Sequence, residues 1–561
     1  IRIFRKLEQS LNESKKAARI GVGWRPGLTR FAYPNQQAEL QWRMNCAPSY
    51  RVPVDKRQAP LNSVTPMPIT FTRNLFTTSL LLTAIFGISQ ITKAAQPATK
   101  PVASKQRPNI LVLMTDDMSR RCVTATGGSQ AITPNIDSLA RRGTVMQNTV
   151  HQGGFSGAIC TCSRAMILTG RPLWSVTPDQ LSYAGPANLN TADKLFPEQF
   201  REEGWQTFGT GKWHNGNAAL LRSFDHAEAI TGGMLPFNKR DRGGAKDNAI
   251  EIGMMNPTCQ RIAGPGKVEK HQTNGWSTDV FYDAAENFLD STWDQKKPFM
   301  MYVSTNAPHD PRHVPDDVLA RFNQVYEPPN YQSVHSFDNG DMLVRDEMVY
   351  KPPHSPETVR RERAIYLAMC AQIDDRIGQL LNKLDKMGQL QNTIVLFTAD
   401  HGLSVGEHGL MGKQNLYDGS WRVPMIVAGP GVPAGKSREG FAYLHGIYPT
   451  LAKLAGLQAP AYTQPFGFHD VILGKATGQP QLFGAYMPNV KVPNGVRAVR
   501  QGKHKLLYYT HSGRRQLFDL EKDAWETNDL IGDPKHQKTA EQLMAALEQW
   551  MEASGDPLGR Q

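Results

Sequence analysis

The chain has 561 residues, is 40% hydrophobic and 20% charged, and contains six Cys. That length gives room for a large core or several domains, the composition excludes a disordered or collagen-like chain, and six Cys are too few for a disulfide scaffold. The formal net charge of +12 is concentrated: residues 1–66 hold twelve Lys/Arg against four Asp/Glu, Arg73 and Lys93 add two more, and everything after Ala95 carries only +2. A near-neutral body excludes bulk capture of a polyanion as its main feature, so no nucleic-acid partner is expected.

Residues 1–66 have no clear periodicity and read as an upstream extension: over-extended translation ahead of Met67, or a real basic extension before an uncleaved anchor. Residues 67–95 carry Arg73, an apolar run from Leu75 to Ile91 and small residues at Ala94 and Ala95, the pattern of a secretory signal peptide. Thr and Ser interrupt that run, so no stable membrane span is expected, and the body is placed outside the cytoplasm, secreted or periplasmic. Residues 96–107 are a polar, Pro-containing linker.

From Pro108 the pattern is α/β. NILVLMTDD (Asn109–Asp117), FMMYVST (Phe299–Thr305), TIVLFTADHG (Thr393–Gly402) and PMIVAG (Pro424–Gly429) are short, almost wholly apolar runs, as expected of strands buried on both faces. TPNIDSLARRG (Thr133–Gly143) predicts a helix capped by Thr133, and Ser355–Gly388 predicts a long one with Ile365, Met369, Ile373, Ile377, Leu380, Leu381 and Leu384 on its buried face. Strands separated by helices predict a large, mostly parallel sheet flanked by helices over residues 108–440. The shorter strands in RAVRQGKHKLLYY and RRQLFDL and an amphipathic helix over Thr539–Met551 predict a smaller α+β subdomain over 441–561. The stretches Gly232–Gly275 and Pro328–Pro356 are expected to be long loops around the entrance to a site.

In such sheets ligands gather at the carboxyl ends of strands. Asp116-Asp117 and Asp400-His401 both stand at predicted strand ends. Alone, Asp116-Asp117 reads better as an ordinary pair of solvated turn aspartates, and Asp400-His401 reads equally well as turn residues; together they offer a mainly oxygen ligand set, which suits Ca²⁺ or Mg²⁺ better than Zn²⁺. Cys160, four residues before Arg164 and at the start of an apolar helical run, sits where helix N–H groups favour an anion. A structural thiol, a disulfide partner, or a Cys-x-Cys clip with Cys162 are the competing readings.

RPNILVLMTDD, TPNIDSLARRG, the Cys160–Arg164 segment with its AMILTGR tail, TFGTGKWH, NAPHDPR, TADHGLSVGEHGLMGKQNLYDGSWRVPMIVAGPG and QLFDLEKDAWETNDL resemble, in order, the motifs of the formylglycine-dependent sulfatases of the alkaline phosphatase superfamily. The resemblance spans roughly Arg107 to Leu530. It implies that a formylglycine-generating enzyme oxidises Cys160 to Cα-formylglycine, whose hydrated aldehyde attacks the sulfur of a sulfate ester. It implies that Asp116, Asp117, Asp400 and His401 bind Ca²⁺ together with that residue, and that Arg164 steadies it. Lys212 and Lys413 are placed on sulfate oxygens, His309 or Lys413 as the acid for the departing alcohol, and His214 as the base. His408 and Arg422 are assigned supporting roles. Many members carry Asn where His401 stands, and the motif's usual Pro is Cys162 here, which bears on maturation; Cys122, Cys259 and Cys370 are alternative disulfide partners for Cys162. The substrate expected is a sulfated saccharide or small molecule. A phosphate or phosphonate ester hydrolase, and a sulfate-binding homologue with an unconverted thiol, are the alternatives.

Overall fold

A computed structural model describes residues 107–176, 189, 192–235, 254–337, 350–488 and 495–559. The extension, the signal-peptide segment and nearly all of the linker lie outside the described residues, within which no helix is long and apolar enough to cross a membrane.

The apolar runs form strands because nearly every side chain in them finds apolar neighbours on both faces. In chain order these are β1 (Asn109–Thr115), β2 (Gly143–Val150), the two-residue β3 (Gly153–Gly154), β4 (Gln206–Lys212), β5 (His226–Thr231), β6 (Thr258–Gly264), β7 (Lys267–Gln272), β8 (Phe299–Ser304), β9 (Thr393–Ala399), β10 (Arg422–Val423), β11 (Met425–Ala428) and β12 (Lys436–Tyr443). All but β3 join one sheet in the order β10-β2-β11-β9-β1-β8-β4-β5-β6-β7, with β12 also along β2. The centre, β9-β1-β8-β4-β5, is parallel, whereas β11 pairs antiparallel with both β9 and β2 and β6–β7 form an antiparallel hairpin. The sheet is therefore mixed, more so than its alternating sequence suggested. The hairpin also corrects the reading of Gly232–Gly275 as a loop: part of that stretch extends the sheet edge.

Helices α1 (Pro134–Arg142), α2 (Ile159–Thr169), α3 (Ser277–Asn287) and α4 (Pro356–Lys386) flank the sheet. The expected α4 face is buried except for Ile365, which is only partly covered, and Ser355 caps the helix by accepting from the Thr358 N–H. Thr133 does not cap α1, contrary to expectation. Asp374 of α4 takes that role from outside, accepting from the backbone N–H of Ile136 at 2.7 Å and of Asn135 at 3.1 Å, while the Thr133 hydroxyl accepts from Thr124 N–H. Gly378 lets α1 approach: a Cβ there would lie 2.4 Å from Asn135 Oδ1.

The smaller C-terminal sheet contains β13 (Leu482–Tyr486), β14 (Val496–Gln501), β15 (His504–Tyr509) and β16 (Arg515–Asp519), in the order β16-β15-β14-β13-β3. Helix α5 (Gln537–Ser554) buries Ala540, Leu543, Leu547 and Met551, one apolar stripe packed on Val499, Leu506 and Leu517. A boundary at 440 cuts through β12, so, β3 apart, the second sheet begins at Leu482. Its tie to the first is Gly153, whose φ of +109° and whose approach to Ala485, where a Cβ would meet the carbonyl oxygen at 1.8 Å, demand glycine.

Candidate active site

Sheet register brings the acids together. Thr115 is paired with Ala399, so the residues that follow, Asp116-Asp117 and Asp400-His401, leave neighbouring strands side by side, and Asp400 N–H donates to Thr115 O at 3.1 Å. β4 ends in Lys212 and β8 leads into His309. Helix α2 aims its first turn at the same point because all eleven of its residues are buried, so Cys160 and Arg164 face inward.

All ten residues singled out in the sequence converge here. The Cys160 Sγ lies 3.3 Å from His214 Nδ1 and 3.5 Å from Lys212 Nζ. Lys212 is ion-paired with Asp116 Oδ2. Arg164 Nε donates to Asp400 Oδ2 at 2.9 Å, and its Nη1 donates to Lys212 O and Ser304 Oγ, both at 2.7 Å. Lys413 Nζ donates to both Asp117 oxygens at 2.9 and 3.0 Å. His401 Nδ1 donates to the Gly402 carbonyl at 3.0 Å, which turns Nε2 toward Asp117 Oδ1 at 3.1 Å and Asp400 Oδ1 at 3.6 Å. His309 Nδ1 donates to the Asp310 carbonyl, leaving Nε2 3.9 Å from Asp117 Oδ2. Only His214 is less than fully buried.

Three carboxylates, two ammonium groups and a guanidinium in one buried pocket shift each other strongly. Burial alone would raise Asp116, but Lys212, His309, Arg164 and Lys413 hold its carboxyl well below the usual range. Burial, reinforced by Asp116, lifts Asp400 to about 6, and burial also raises Asp117. Burial works against charge on the imidazoles, yet Asp117 and Asp310 raise His309 to about 8, and Asp400 and Asp117 raise His401 to about 9. The Cys160 thiol, which burial would push up, is drawn well below its ordinary value by Lys212, His214 and Lys413. Asp117 and His214 also adopt left-handed backbone, at φ 64° and 63°, a local cost of a kind that clusters at functional sites.

The donor set fits a divalent cation. One ligand atom each from Asp116, Cys160, Asp400 and His401 lie within 4.8 Å of one another, and Asp116 Oδ1 and His401 Nε2 are buried with no hydrogen-bond partner. Orphaned buried polar atoms are rare enough to require an explanation, and a cation held among these groups would supply one.

Cys162 belongs to a different environment. It packs with Phe155, Ala165, Met166 and Leu173, burial pushes its thiol up to about 12, and the cysteines among the described residues are all free. No disulfide joins Cys162 to Cys122, Cys259 or Cys370 among the described residues, and Cys162 belongs to neither cluster there that could hold a metal. His408 stacks on Tyr417 with ring centroids 3.8 Å apart, and Arg422 pairs with Asp418 at 2.8 Å. Sequence reasoning missed Thr161, whose hydroxyl meets His214 Nε2 at 3.1 Å, and Ser163, whose hydroxyl donates to Asp400 O at 2.6 Å. Both adjoin Cys160, and that adjacency was the available signal. Ser304 offered none beyond its place at a strand end.

A parallel-centred sheet with an anion-receptive, cation-competent pocket at its strand tips is the architecture of an alkaline-phosphatase-like hydrolase. The sulfatase family model matches residues 108–457, and the chain belongs to the formylglycine-dependent sulfatase family, the hydrolases of sulfuric esters. Residues 406–553 match the C-terminal region of N-sulphoglucosamine sulphohydrolase. The chain is 27% identical over 516 residues to the N-acetylglucosamine-6-O-sulfatase of Bacteroides thetaiotaomicron, across 79% of this chain and 86% of that protein. It is also 27% identical to an arylsulfatase of Clostridium perfringens, across 79% of this chain and 94% of that one. A solved structure of a protein in complex with its substrate D-glucosamine-2-N,6-O-disulfate superimposes with a TM-score of 0.63 at 25% identity, over 81% of this chain and 100% of that one. The phosphonate monoester hydrolase of Agrobacterium radiobacter shares the fold, with a TM-score of 0.60 at 19% identity over 81% of this chain and 96% of that one. The family implies a metal and a formylglycine.

Proposed function

We propose that this sulfatase removes sulfate from a saccharide, with Cys160 carried as Cα-formylglycine and Ca²⁺, or Mg²⁺, held by Asp116, Asp117, Asp400 and His401. The observation that carries the reading is the seat of Cys160 between the acidic strand tips and His214. Sugar as the substrate class is supported by the glucosamine-directed relative and by the glucosamine disulfate in the similar structure. The run Leu75–Ile91 behind Arg73 supports maturation and action outside the cytoplasm, after a formylglycine-generating enzyme has met the unfolded chain.

The cation and the hydrated aldehyde supply charge neutralisation at the ester oxygens and an acidic hydroxyl nucleophile. The chain's own groups do the rest. Lys212 and Lys413 present ammonium hydrogens to sulfate oxygens while their carboxylate partners hold them in place. Arg164 fixes Asp400 through Nε, and its Nη2 has no hydrogen-bond partner, so it can donate to an oxygen at position 160. His309, anchored through Nδ1, offers a proton from Nε2 to the departing alcohol as the sulfur–oxygen bond breaks. His214 Nδ1 would take the hydroxyl proton at position 160 as the carbon–oxygen bond to sulfate breaks and sulfate leaves, and Thr161 holds the opposite ring nitrogen.

The test is a pair of rates on the 6-sulfate and 6-phosphate of N-acetylglucosamine, with Cys160→Ala alongside. Turnover of the sulfate that is lost in a folded Cys160→Ala variant is expected. Faster hydrolysis of the phosphate would reassign the enzyme to phosphoryl transfer, and turnover surviving Cys160→Ala would remove the nucleophile.

A further inference from the structure

We propose that, before Cys160 is oxidised, the thiol form of this chain is a Zn²⁺ site, with Cys160, His401, Asp116 and Asp400 as its four ligands. For the converted form the inference rests on the reading above; for the thiol form it stands on the side chains themselves.

The donor types differ between the two forms. With sulfur at position 160 the set is one thiolate, one imidazole and two carboxylates, four donors of the kinds that bind zinc tetrahedrally. Hard cations instead take six to eight oxygens, and here both the sulfur and the imidazole count against them. The geometry is near what zinc needs. Bonds of about 2.0–2.3 Å to N, O and S place tetrahedral ligand atoms about 3.3–3.7 Å apart. His401 Nε2 stands 3.6 Å from Asp400 Oδ1 and 3.9 Å from Asp116 Oδ1, and all four ligand atoms lie within 4.8 Å of one another, so closing the site takes a contraction of up to about 1 Å at the widest separation.

The neighbours leave the right lone pairs open. Lys212 occupies Asp116 Oδ2 and leaves Oδ1 without a partner. His401 Nδ1 donates to the Gly402 carbonyl, which orients the ring and leaves buried Nε2 with no hydrogen-bond partner, facing the carboxylates with Asp117 Oδ1 at 3.1 Å, the outer-shell arrangement that zinc-bound histidines show. Arg164 holds Asp400 by Oδ2. Asp117, whose Oδ1 lies 3.1 Å from the same Nε2, is left out of the set because Lys413 engages both of its oxygens. On binding, sulfur–zinc and nitrogen–zinc bonds form, and any proton on Cys160 Sγ or His401 Nε2 passes to solvent. Oxidation to formylglycine removes that sulfur, so the same conversion that makes the nucleophile also withdraws the ligand that favours zinc.

The experiment uses the full chain expressed without a formylglycine-generating enzyme, with the Cys160 thiol confirmed by peptide mass. Zn²⁺ is titrated with a competing chromophoric chelator, and Co²⁺ is added as the spectroscopic probe. The expected results are one tight Zn²⁺ per chain and a near-ultraviolet thiolate-to-cobalt charge-transfer band. Cys160→Ser abolishes the band, and both Cys160→Ser and His401→Asn weaken Zn²⁺ at least tenfold while circular dichroism is unchanged. No charge-transfer band in the wild-type thiol protein, or Zn²⁺ affinity unaltered by Cys160→Ser, would overturn the proposal. Neither readout involves ester hydrolysis, so failure here leaves the sulfatase reading standing, and failure of that reading leaves this one testable.

Discussion

Lys505 sits in the C-terminal sheet yet belongs to the architecture of the pocket, and replacing it with Met tests that link. Its fully buried ammonium donates to Asp418 Oδ1 at 2.8 Å and to Glu526 Oε1 at 2.6 Å, and the Asp418 N–H donates to Glu526 Oε2 at 2.7 Å. Without Lys505 two buried carboxylates face each other, with Arg422 2.8 Å from Asp418 and Arg500 as the remaining counter-charges. Breaking a buried pair costs about 3–5 kcal/mol, and because Arg422 remains, the lower end is expected, about 3 kcal/mol. Urea unfolding followed by tryptophan fluorescence reads the change, and Lys505→Met/Glu526→Gln should recover part of it. The turn beyond Asp418 also serves the pocket. Ser420 O accepts from Gly402 N–H at 2.8 Å, and Ser420 Oγ donates to Lys413 O at 2.6 Å, so kcat should fall with the stability. The pH dependence has a defined sign. Although burial raises it, Lys505 and Arg422 hold Asp418 well below its ordinary value. The pair's contribution is therefore complete above the unfolded carboxyl value near ~3.9 and is lost as pH falls through the folded one, so the gap between wild type and variant should narrow in acid. A loss under about 1 kcal/mol at neutral pH would refute the reasoning.

Three further outcomes follow from the same coordinates. Asp556→Ala strips the bidentate partner, at 2.6 and 2.8 Å, from fully buried Arg497 and should cost about 3–5 kcal/mol in denaturant unfolding. Gly378→Ala places a Cβ 2.4 Å from Asn135, so overpacking of α1 on α4 should cost about 1–3 kcal/mol, while Asn135→Ala in the same chain restores most of it. Removing divalent cations with a chelator should abolish sulfate-ester turnover and lower the thermal midpoint, and Ca²⁺ should restore both. An Asp116→Asn variant that still gains thermal stability from Ca²⁺ would contradict the assigned site.

The central strands were legible because burial on both faces leaves an unbroken apolar run, as in Ile110 to Met114, and strand-end acids mark where such a sheet binds its ligand. The flanks were less so. Antiparallel β11 is as apolar as its parallel neighbours, and nothing in MIVA states its direction. Gly153-Gly154 pairs with β13 through backbone alone, so no side chain announced a strand. Thr133 had the chemistry of a cap, but Asp374, hundreds of positions away, reaches the same N–H groups with a charge. The Lys505–Asp418–Glu526 cluster was equally invisible, since Lys505 lies in β15 while Asp418 and Glu526 come from separate connecting segments, and none carries a local motif. The pocket fared better because its residues lie within short family segments, each at the end of an element whose length was readable.

The most direct measurement is the mass of the tryptic peptide spanning Ile159–Arg164, taken from protein whose sulfate-ester turnover has been measured in the same preparation. An aldehyde in place of the thiol at position 160, in proportion to activity across preparations, is the expected result. Full turnover from protein whose Cys160 remains entirely a thiol would contradict the account.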